Sequence, residues 1–118
     1  MSRVIKTKLS KSFKKRWTTA LRSKEFTQGQ KYLYNKDMQG HCCLGVACAL
    51  GGLEKSQLKG ALITDTECKR AKMNDSPNDV LSGLDALCKD NDLQERLADY
   101  NDRGKSFNWI AAYIDRYL

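Results

Sequence analysis

The fold is decided by residues 92–118, DLQERLADYNDRGKSFNWIAAYIDRYL, because they hold the clearest pair of helices in the chain. Leucines recur at helical spacing up to Tyr100, and Gly104 then supplies a residue that accepts a left-handed turn. Ser106 can cap a final helix that continues to Leu118. The pattern predicts a C-terminal helical hairpin.

The final helix of this hairpin carries two adjacent apolar stripes. The first stripe consists of Phe107, Ile110, Ala111, Ile114 and Leu118. The second consists of Trp109, Tyr113 and Tyr117. A terminal helix with two such faces either packs on both sides or presents its aromatic side chains to a partner. The three aromatic residues are therefore candidate anchors for a binding partner, which could be a second copy of the chain in a homodimer. Core packing is the alternative interpretation for Trp109 and Tyr113.

Two segments further upstream also show helical spacing. From Ser12, which can cap a helix, Phe13, Trp17 and Leu21 fall on one face. Leucines repeat in the same way over residues 78–88. The rest of the stretch from 53 to 92 has no pattern that favours one element over another.

Short β-structure is predicted between these helices. Residues 30–34 (QKYLY) have the composition of a strand, and the polar turn that follows ends at Gly40, which indicates a hairpin near residues 30–43. Residues 46–50 suit a buried helix ended by two glycines, whereas residues 42–46 also suit a strand.

The fold class that these elements predict is α+β. We expect a mostly helical, small single domain with a short β-hairpin and a C-terminal helical hairpin packed on it. A chain of 118 residues allows one core, which buries roughly two thirds of the surface that the unfolded chain exposes. Residues 1–11 are interpreted as a basic N-terminal arm or short strand, and residues 12–118 as a single globular domain.

The cysteines and the N-terminal sequence indicate a cytoplasmic protein. The chain has five cysteines, an odd number, and its first residues lack the apolar core of a secretion signal. Free thiols in a reducing compartment are therefore expected, and no apolar run is long enough to suggest a membrane partner.

Positive charge is concentrated at the N-terminus. The net charge is +7, yet residues 1–24 hold nine of the 21 Lys and Arg and none of the 14 Asp and Glu. Such a segment attracts phosphates or acidic protein surfaces. The residues that we expect to make this electrostatic contact are Arg3, Lys6, Lys8, Lys11, Lys14, Lys15 and Arg16.

The sequence patterns give less support for a catalytic site or a bound cofactor than for a binding surface. The metal-ligand candidates are His41, Cys42, Cys43 and Cys48, but structural zinc sites usually carry their ligands as two closely spaced pairs. A thiol nucleophile would need His41 to face a cysteine beside it in sequence, which neighbouring residues rarely do in a strand. The chain also lacks a Walker-type phosphate loop and a GxGxxG motif, so we expect no catalytic residue, no cofactor and packed thiols.

Three segments together resemble a family of small proteins of unknown function from tailed bacteriophages. They are WTTALRSKEFTQGQKYL (residues 17–33), HCCLGVACAL (41–50) and LADYNDRGKSFNWIAAYI (97–114), which carry the W-x3-AL-R-S, CCLGV and ND-x-G-x-SF-x-x-IA patterns. The resemblance implies an accessory protein that acts inside the cytoplasm of a host bacterium. It implies no catalytic mechanism, and it does not extend to residues 53–92.

The leading hypothesis is that the chain binds and modulates a host or phage macromolecule, a host protein or a nucleic acid, through its basic N-terminal segment. A non-sequence-specific nucleic-acid-binding protein, a binder that sequesters a small nucleotide signal, and a metal- or thiol-dependent enzyme are the alternatives. A nucleotide binder would need basic side chains that converge on a pocket.

Overall fold

The computed structural model describes residues 7–118, and in that part of the chain it has six α-helices and one two-stranded antiparallel hairpin. The helices are α1 (Lys11–Arg22), α2 (Cys43–Leu50), α3 (Asp65–Met73), α4 (Asn78–Cys88), α5 (Asn91–Asp102) and α6 (Phe107–Tyr117). The strands are β1 (Tyr34–Asn35) and β2 (Gly40–His41), and a short 3-10 helix covers Lys55–Gln57. The predicted fold class is confirmed. Within the described range, every helix is too short or too polar to cross a membrane.

The centre of the fold is α2, which is apolar on every side. Its residues from Cys43 to Cys48 are all buried, and the helix contacts α1, α4 and α5. Cys42 caps it, because its Sγ accepts a hydrogen bond from the backbone N–H of Gly45 over 3.4 Å. A helix that is hydrophobic all round has to be covered all round, so the other helices are arranged about it.

Gly45 lets α2 approach the segment that leads into β1. A Cβ atom at this position would lie 1.8 Å from the carbonyl oxygen of Leu33, far inside van der Waals contact. Since the obstacle is backbone, no side-chain rotation can relieve it. The glycine of the CCLGV pattern therefore has a packing role.

α1 and α6 form the largest helix contact. Phe13 and Trp17 of α1 are fully buried, and the indole N–H of Trp17 donates to the carbonyl oxygen of Cys43 over 2.9 Å. At the outer end of the contact, Arg22 pairs with Asp115 of α6 over 3.0 Å. α1 is thereby fixed to both the central helix and the C-terminal one.

The C-terminal helical hairpin is confirmed, but its packing differs from the prediction. Gly104 has a positive φ of 95° between α5 and α6, and Ser106 caps α6 by accepting from the N–H of Trp109. α6 packs mainly on α1, while α5 contacts α2. α6 packs on α1 because its apolar stripe contacts the apolar stripe of α1, which contains Phe13 and Trp17.

Two element boundaries and one element type also differ from the sequence-based prediction. α1 is capped by Ser10, not Ser12, since the Ser10 hydroxyl accepts from the N–H of Phe13 over 3.2 Å. The strand alternative for residues 42–46 is wrong, because the Cys42 cap starts a helix there. β1 begins only at Tyr34, and residues 30–33 have no strand structure, although Gln28 forms an isolated parallel bridge with His41.

The segment that sequence patterns left open contains α3. Its first turn is held by a capping box in which the Glu67 carboxylate accepts from both the N–H and the hydroxyl of Thr64. Of the predicted arm or short strand, residues 7–10 have no regular structure and Lys11 already belongs to α1. The rest of that segment lies outside the described residues.

Candidate functional site

The described part of the predicted electrostatic contact lies on and just before α1. Burial of Phe13 and Trp17 turns one side of this helix inward, so the basic side chains between them face outward. Lys8, Lys11, Lys15 and Arg16 are exposed, and Lys14 is half-buried. Arg3 and Lys6 lie outside the described residues.

Ion pairing divides these basic residues into two groups. Arg16 Nε lies 2.6 Å from a carboxylate oxygen of Asp79, and the Ser12 hydroxyl donates to the same oxygen. Both hydrogen bonds lower the pKa of Asp79, and the one from Ser12 has the larger effect. No described carboxylate pairs with the remaining four side chains, which we call the lysine face: Lys8, Lys11, Lys14 and Lys15.

An open groove of about 520 Å³ borders the lysine face. Lys15 and Arg16 line it on one side, and the apolar Leu50 and the carboxylate of Glu25 also contribute. The mixed lining does not suggest a pocket for one small anion. Of the lysine face, Lys15 is the one member in the lining of this groove, so the four positive charges do not converge on it.

The predicted aromatic anchors form a second surface, together with Tyr100 of α5. The rings of Trp109 and Tyr113 are stacked with centroids 5.8 Å apart, and the Tyr113 and Tyr117 centroids are 4.8 Å apart. Tyr100 packs edge-on against Trp109 and Tyr113, at 5.0 and 5.1 Å. We call this set the aromatic surface. Trp109 is 39 % exposed and Tyr117 54 %, whereas Tyr113 is half-buried and packs against the hydrophobic core.

Three cations border the aromatic surface. Lys105 Nζ lies 4.9 Å from the centroid of the Trp109 ring, and the Arg116 guanidinium lies 5.5 Å from that of Tyr117. Arg96 donates to the Tyr113 hydroxyl over 3.4 Å. Aromatic rings flanked by cations form the kind of surface on which nucleic-acid bases stack.

The lysine face lies on and just before α1, whereas the aromatic surface consists of α6 residues and Tyr100 of α5. Asp115 faces α1 through its ion pair with Arg22, whereas Tyr113 faces α5 through Tyr100. Among the described contacts, no lysine of the lysine face lies against a ring of the aromatic surface.

Three of the four metal-ligand candidates have a packing, capping or hydrogen-bonding role, and Cys48 is fully buried in α2. The His41 ring is buried between the rings of Phe26 and Tyr34, with centroids 5.1 and 4.9 Å away. Burial, and then the charge of Lys55, lower the pKa of His41. Cys42 caps α2, and the Cys43 thiol donates to a carbonyl of α5 over 3.6 Å. Among the described residues, no three His, Cys, Asp or Glu side chains are grouped so that they could hold a metal ion.

The thiols are poorly suited to nucleophilic chemistry. Burial raises the pKa of Cys42 to about 11, and it raises those of Cys43 and Cys48 well above the usual value. Burial and the neighbouring Cys88 raise the pKa of Cys68 to about 12. A reactive cysteine needs the opposite shift, because the thiolate is the nucleophile.

Comparison with protein families matches residues 9–118 to a domain of unknown function, DUF8296. The match covers nearly the whole chain. The protein belongs to the DUF8296 family. No similar protein was found among curated proteins, and none among solved structures.

In this DUF8296 member, the three segments that carry the phage-family resemblance meet at one buried side chain, Asn101. Its amide N–H donates to the carbonyl of Gly29 over 2.7 Å, and its oxygen accepts from Gln28 Nε2 over 2.9 Å and from the N–H of Cys43 over 3.3 Å. Gln28 also donates to the carbonyl of Lys105. The motif residues that meet here join the three segments through hydrogen bonds to one buried side chain.

Sequence reasoning missed a cavity of about 480 Å³ between the β-hairpin and the 3-10 helix. Its basic residues are Lys36, Lys55 and Lys59. They lie up to 23 positions apart in a chain rich in lysine, so no local pattern marks them as a group. Only the folded backbone brings them together.

Proposed function

We propose that this protein is a small phage-type accessory protein that binds an anionic macromolecule through the lysine face, with nucleic acid as the favoured partner. The observation that carries the proposal is that Lys8, Lys11, Lys14 and Lys15 have no carboxylate partner among the described residues. Arg16 and Arg22, close by on the same helix, are both paired internally. Unpaired cations on a rigid helix are ready to neutralise an external charge.

Two features favour nucleic acid over an acidic protein surface. The lysine face is an exposed, extended positive surface without a defined pocket, as contact with a phosphate backbone requires. The aromatic surface adds rings flanked by Lys105 and Arg116, on which unpaired bases can stack. An acidic host protein would also use the first feature, whereas stacking of unpaired bases on the second requires a single-stranded nucleic acid.

The cellular setting is part of the proposal. The W-x3-AL-R-S, CCLGV and ND-x-G-x-SF-x-x-IA patterns support an origin in tailed bacteriophages, and the free cysteines support action in the host cytoplasm. In that setting a small basic protein would modulate a process of the host or the phage by occupying nucleic acid.

The test is binding to a labelled DNA duplex and to a single strand of the same length, at several salt concentrations. We expect the logarithm of the binding constant to fall linearly with the logarithm of salt concentration, because bound phosphates release counterions. In the double variant K11Q/K15Q, we expect weaker binding and a salt slope reduced by about one per lysine.

The matched control is K69Q/K72Q, which removes two exposed lysines from α3. If both double variants lose the same affinity, only net charge matters and the lysine face is not the contact. If the unaltered protein binds neither nucleic acid at low salt, the nucleic-acid proposal fails, and a host protein with an acidic surface becomes the partner to seek with K11Q/K15Q as the negative bait.

A further inference from the structure

The cavity between the hairpin and the 3-10 helix has an unusual charge. Its lining consists of Tyr34, Lys36, Lys55, Ser56, Leu58 and Lys59. Half of these residues are lysines, and none is acidic. None of the three lysines forms an ion pair with a described residue, so their charges are not neutralised within the described part of the chain.

The walls of the cavity are held by backbone hydrogen bonds. The N–H of Tyr34 donates to the carbonyl of Leu58 over 3.1 Å, and that of Leu33 donates to the carbonyl of Gly60 over 2.7 Å. Leu58 is fully buried and anchors its segment in the core. Lys36 follows the first wall in sequence and Lys59 belongs to the second, so these contacts fix the spacing of their backbones.

Tyr34 forms an aromatic wall with a cation beside it. Its ring packs edge-on against the buried His41 ring at 4.9 Å, and Lys55 Nζ lies 5.3 Å from its centroid. Burial, and then the charge of Lys55, lower the pKa of His41. Tyr34 thus contacts both a cation of the cavity and the buried histidine.

We infer that this cavity binds a small molecule that carries two or more phosphate groups, such as a nucleoside di- or triphosphate. Three lysines in a lining that contains no acidic residue match several negative charges, and the Ser56 hydroxyl can donate to a phosphate oxygen. A volume of about 480 Å³ lies within the range of small-molecule sites and is far larger than a single inorganic ion needs. This site is separate from the lysine face and does not depend on it.

Calorimetric titration with ATP, AMP, pyrophosphate and sulfate tests the inference. We expect saturable binding of one ATP per chain, weaker binding of pyrophosphate, which lacks the ring, and at least about tenfold weaker binding of AMP because fewer charges are neutralised. In K36Q/K59Q we expect the ATP affinity to fall by at least about tenfold, since two charge-assisted contacts are lost. The variant K69Q/K72Q, with the same change in net charge, should bind ATP as the unaltered protein does.

His41 supplies an independent readout, because it is the single histidine in the chain. Bound phosphate would offset the charge of Lys55, so NMR titration of the ring should show a higher His41 pKa in the presence of ATP. Absence of saturable ATP binding, an unchanged His41 pKa, or equal losses in K36Q/K59Q and K69Q/K72Q would overturn the inference.

DNA binding separates this inference from the proposed function. K36Q/K59Q should keep the affinity of the unaltered protein for the DNA duplex, and K11Q/K15Q should keep its affinity for ATP. Loss of both activities in K36Q/K59Q would show that the cavity is only part of a general cationic surface, and would contradict a separate small-molecule site.

Discussion

The amide nitrogen of Asn101 donates to the carbonyl oxygen of Gly29 over 2.7 Å, which joins α5 to the segment before the β-hairpin across 72 positions of sequence. Asn101 is fully buried, and its side-chain oxygen accepts from Gln28 and from the N–H of Cys43. One side chain thus satisfies polar groups of two segments that are distant from it in sequence. This arrangement explains the ND pattern near the C-terminus as a structural feature.

The first prediction concerns Asn101 itself. Asn101→Leu should lower the free energy of unfolding by about 2–4 kcal/mol, because it leaves the carbonyl of Gly29 and the N–H of Cys43 buried without this partner. Urea unfolding measures the change. Asn108→Ala, at an exposed position of α6, is the control and should change it by less than about 0.5 kcal/mol. If Asn101→Leu were as stable as Asn108→Ala, the structural role of Asn101 described above would be wrong.

Gly45 carries the second prediction. Alanine normally stabilises a helix interior relative to glycine by up to about 1 kcal/mol. Here the added Cβ would meet the carbonyl oxygen of Leu33, so Gly45→Ala should destabilise the protein by about 2 kcal/mol or more and lower its thermal midpoint. Gly60→Ala, where a Cβ has its nearest neighbour at 3.7 Å, should leave the midpoint nearly unchanged. A gain of stability in Gly45→Ala would contradict the close approach of α2.

The sequence predicts those parts of the structure that depend on local patterns. It does not predict the parts that depend on contacts between distant segments. The stripes of α1 and α6 and the Ser106 cap are local features, so they can be predicted from the sequence. The Ser10 cap was missed because Ser10 and Ser12 are equally good cap residues and only the packing of α1 selects between them. α3 was left open because its stability comes from the Thr64–Glu67 capping box and from contact with α4 more than from an apolar stripe.

The candidate sites follow the same division. Exposed lysines on α1 could be predicted from the helical pattern, but the pairing of Arg16 with Asp79 joins residues 63 positions apart and leaves no trace in local sequence. Tyr100 was predicted only as part of an apolar face of α5, because its contact with Trp109 requires the helical hairpin to close. The cavity lysines converge only once the hairpin meets the 3-10 helix.

The third prediction concerns pH and the buried His41. Its pKa is lowered in the folded state, so the unfolded state binds more protons below the ordinary histidine value of about 6.5. Its contribution to stability is therefore full above that pH and is lost as the pH falls toward the folded-state value. Urea midpoints measured from about pH 8 to about pH 5 should fall more steeply for the unaltered protein than for His41→Phe, which keeps an aromatic ring. Parallel curves for the two proteins would contradict this account.

The fourth prediction addresses the thiol-dependent enzyme alternative. Cys42, Cys43 and Cys48 are buried, whereas Cys68 and Cys88 are partly exposed. Alkylation at neutral pH, followed by mass spectrometry, should add at most two labels and add them slowly, because the pKa of every one of these thiols is raised. Five labels should appear after denaturation. Rapid labelling of one thiol in the folded protein would revive the enzyme alternative.

The fifth prediction separates stacking from charge in nucleic-acid binding. Trp109 is 39 % exposed beside Lys105, and its replacement by alanine removes a ring on which an unpaired base can stack. Trp109→Ala should weaken single-strand binding by about 1–3 kcal/mol and change duplex binding much less, since paired bases are not free to stack. Tyr32→Ala removes another exposed aromatic ring, 48 % exposed and outside the aromatic surface, and serves as the control. Equal losses on duplex and single strand would assign Trp109 a structural role in place of a stacking one.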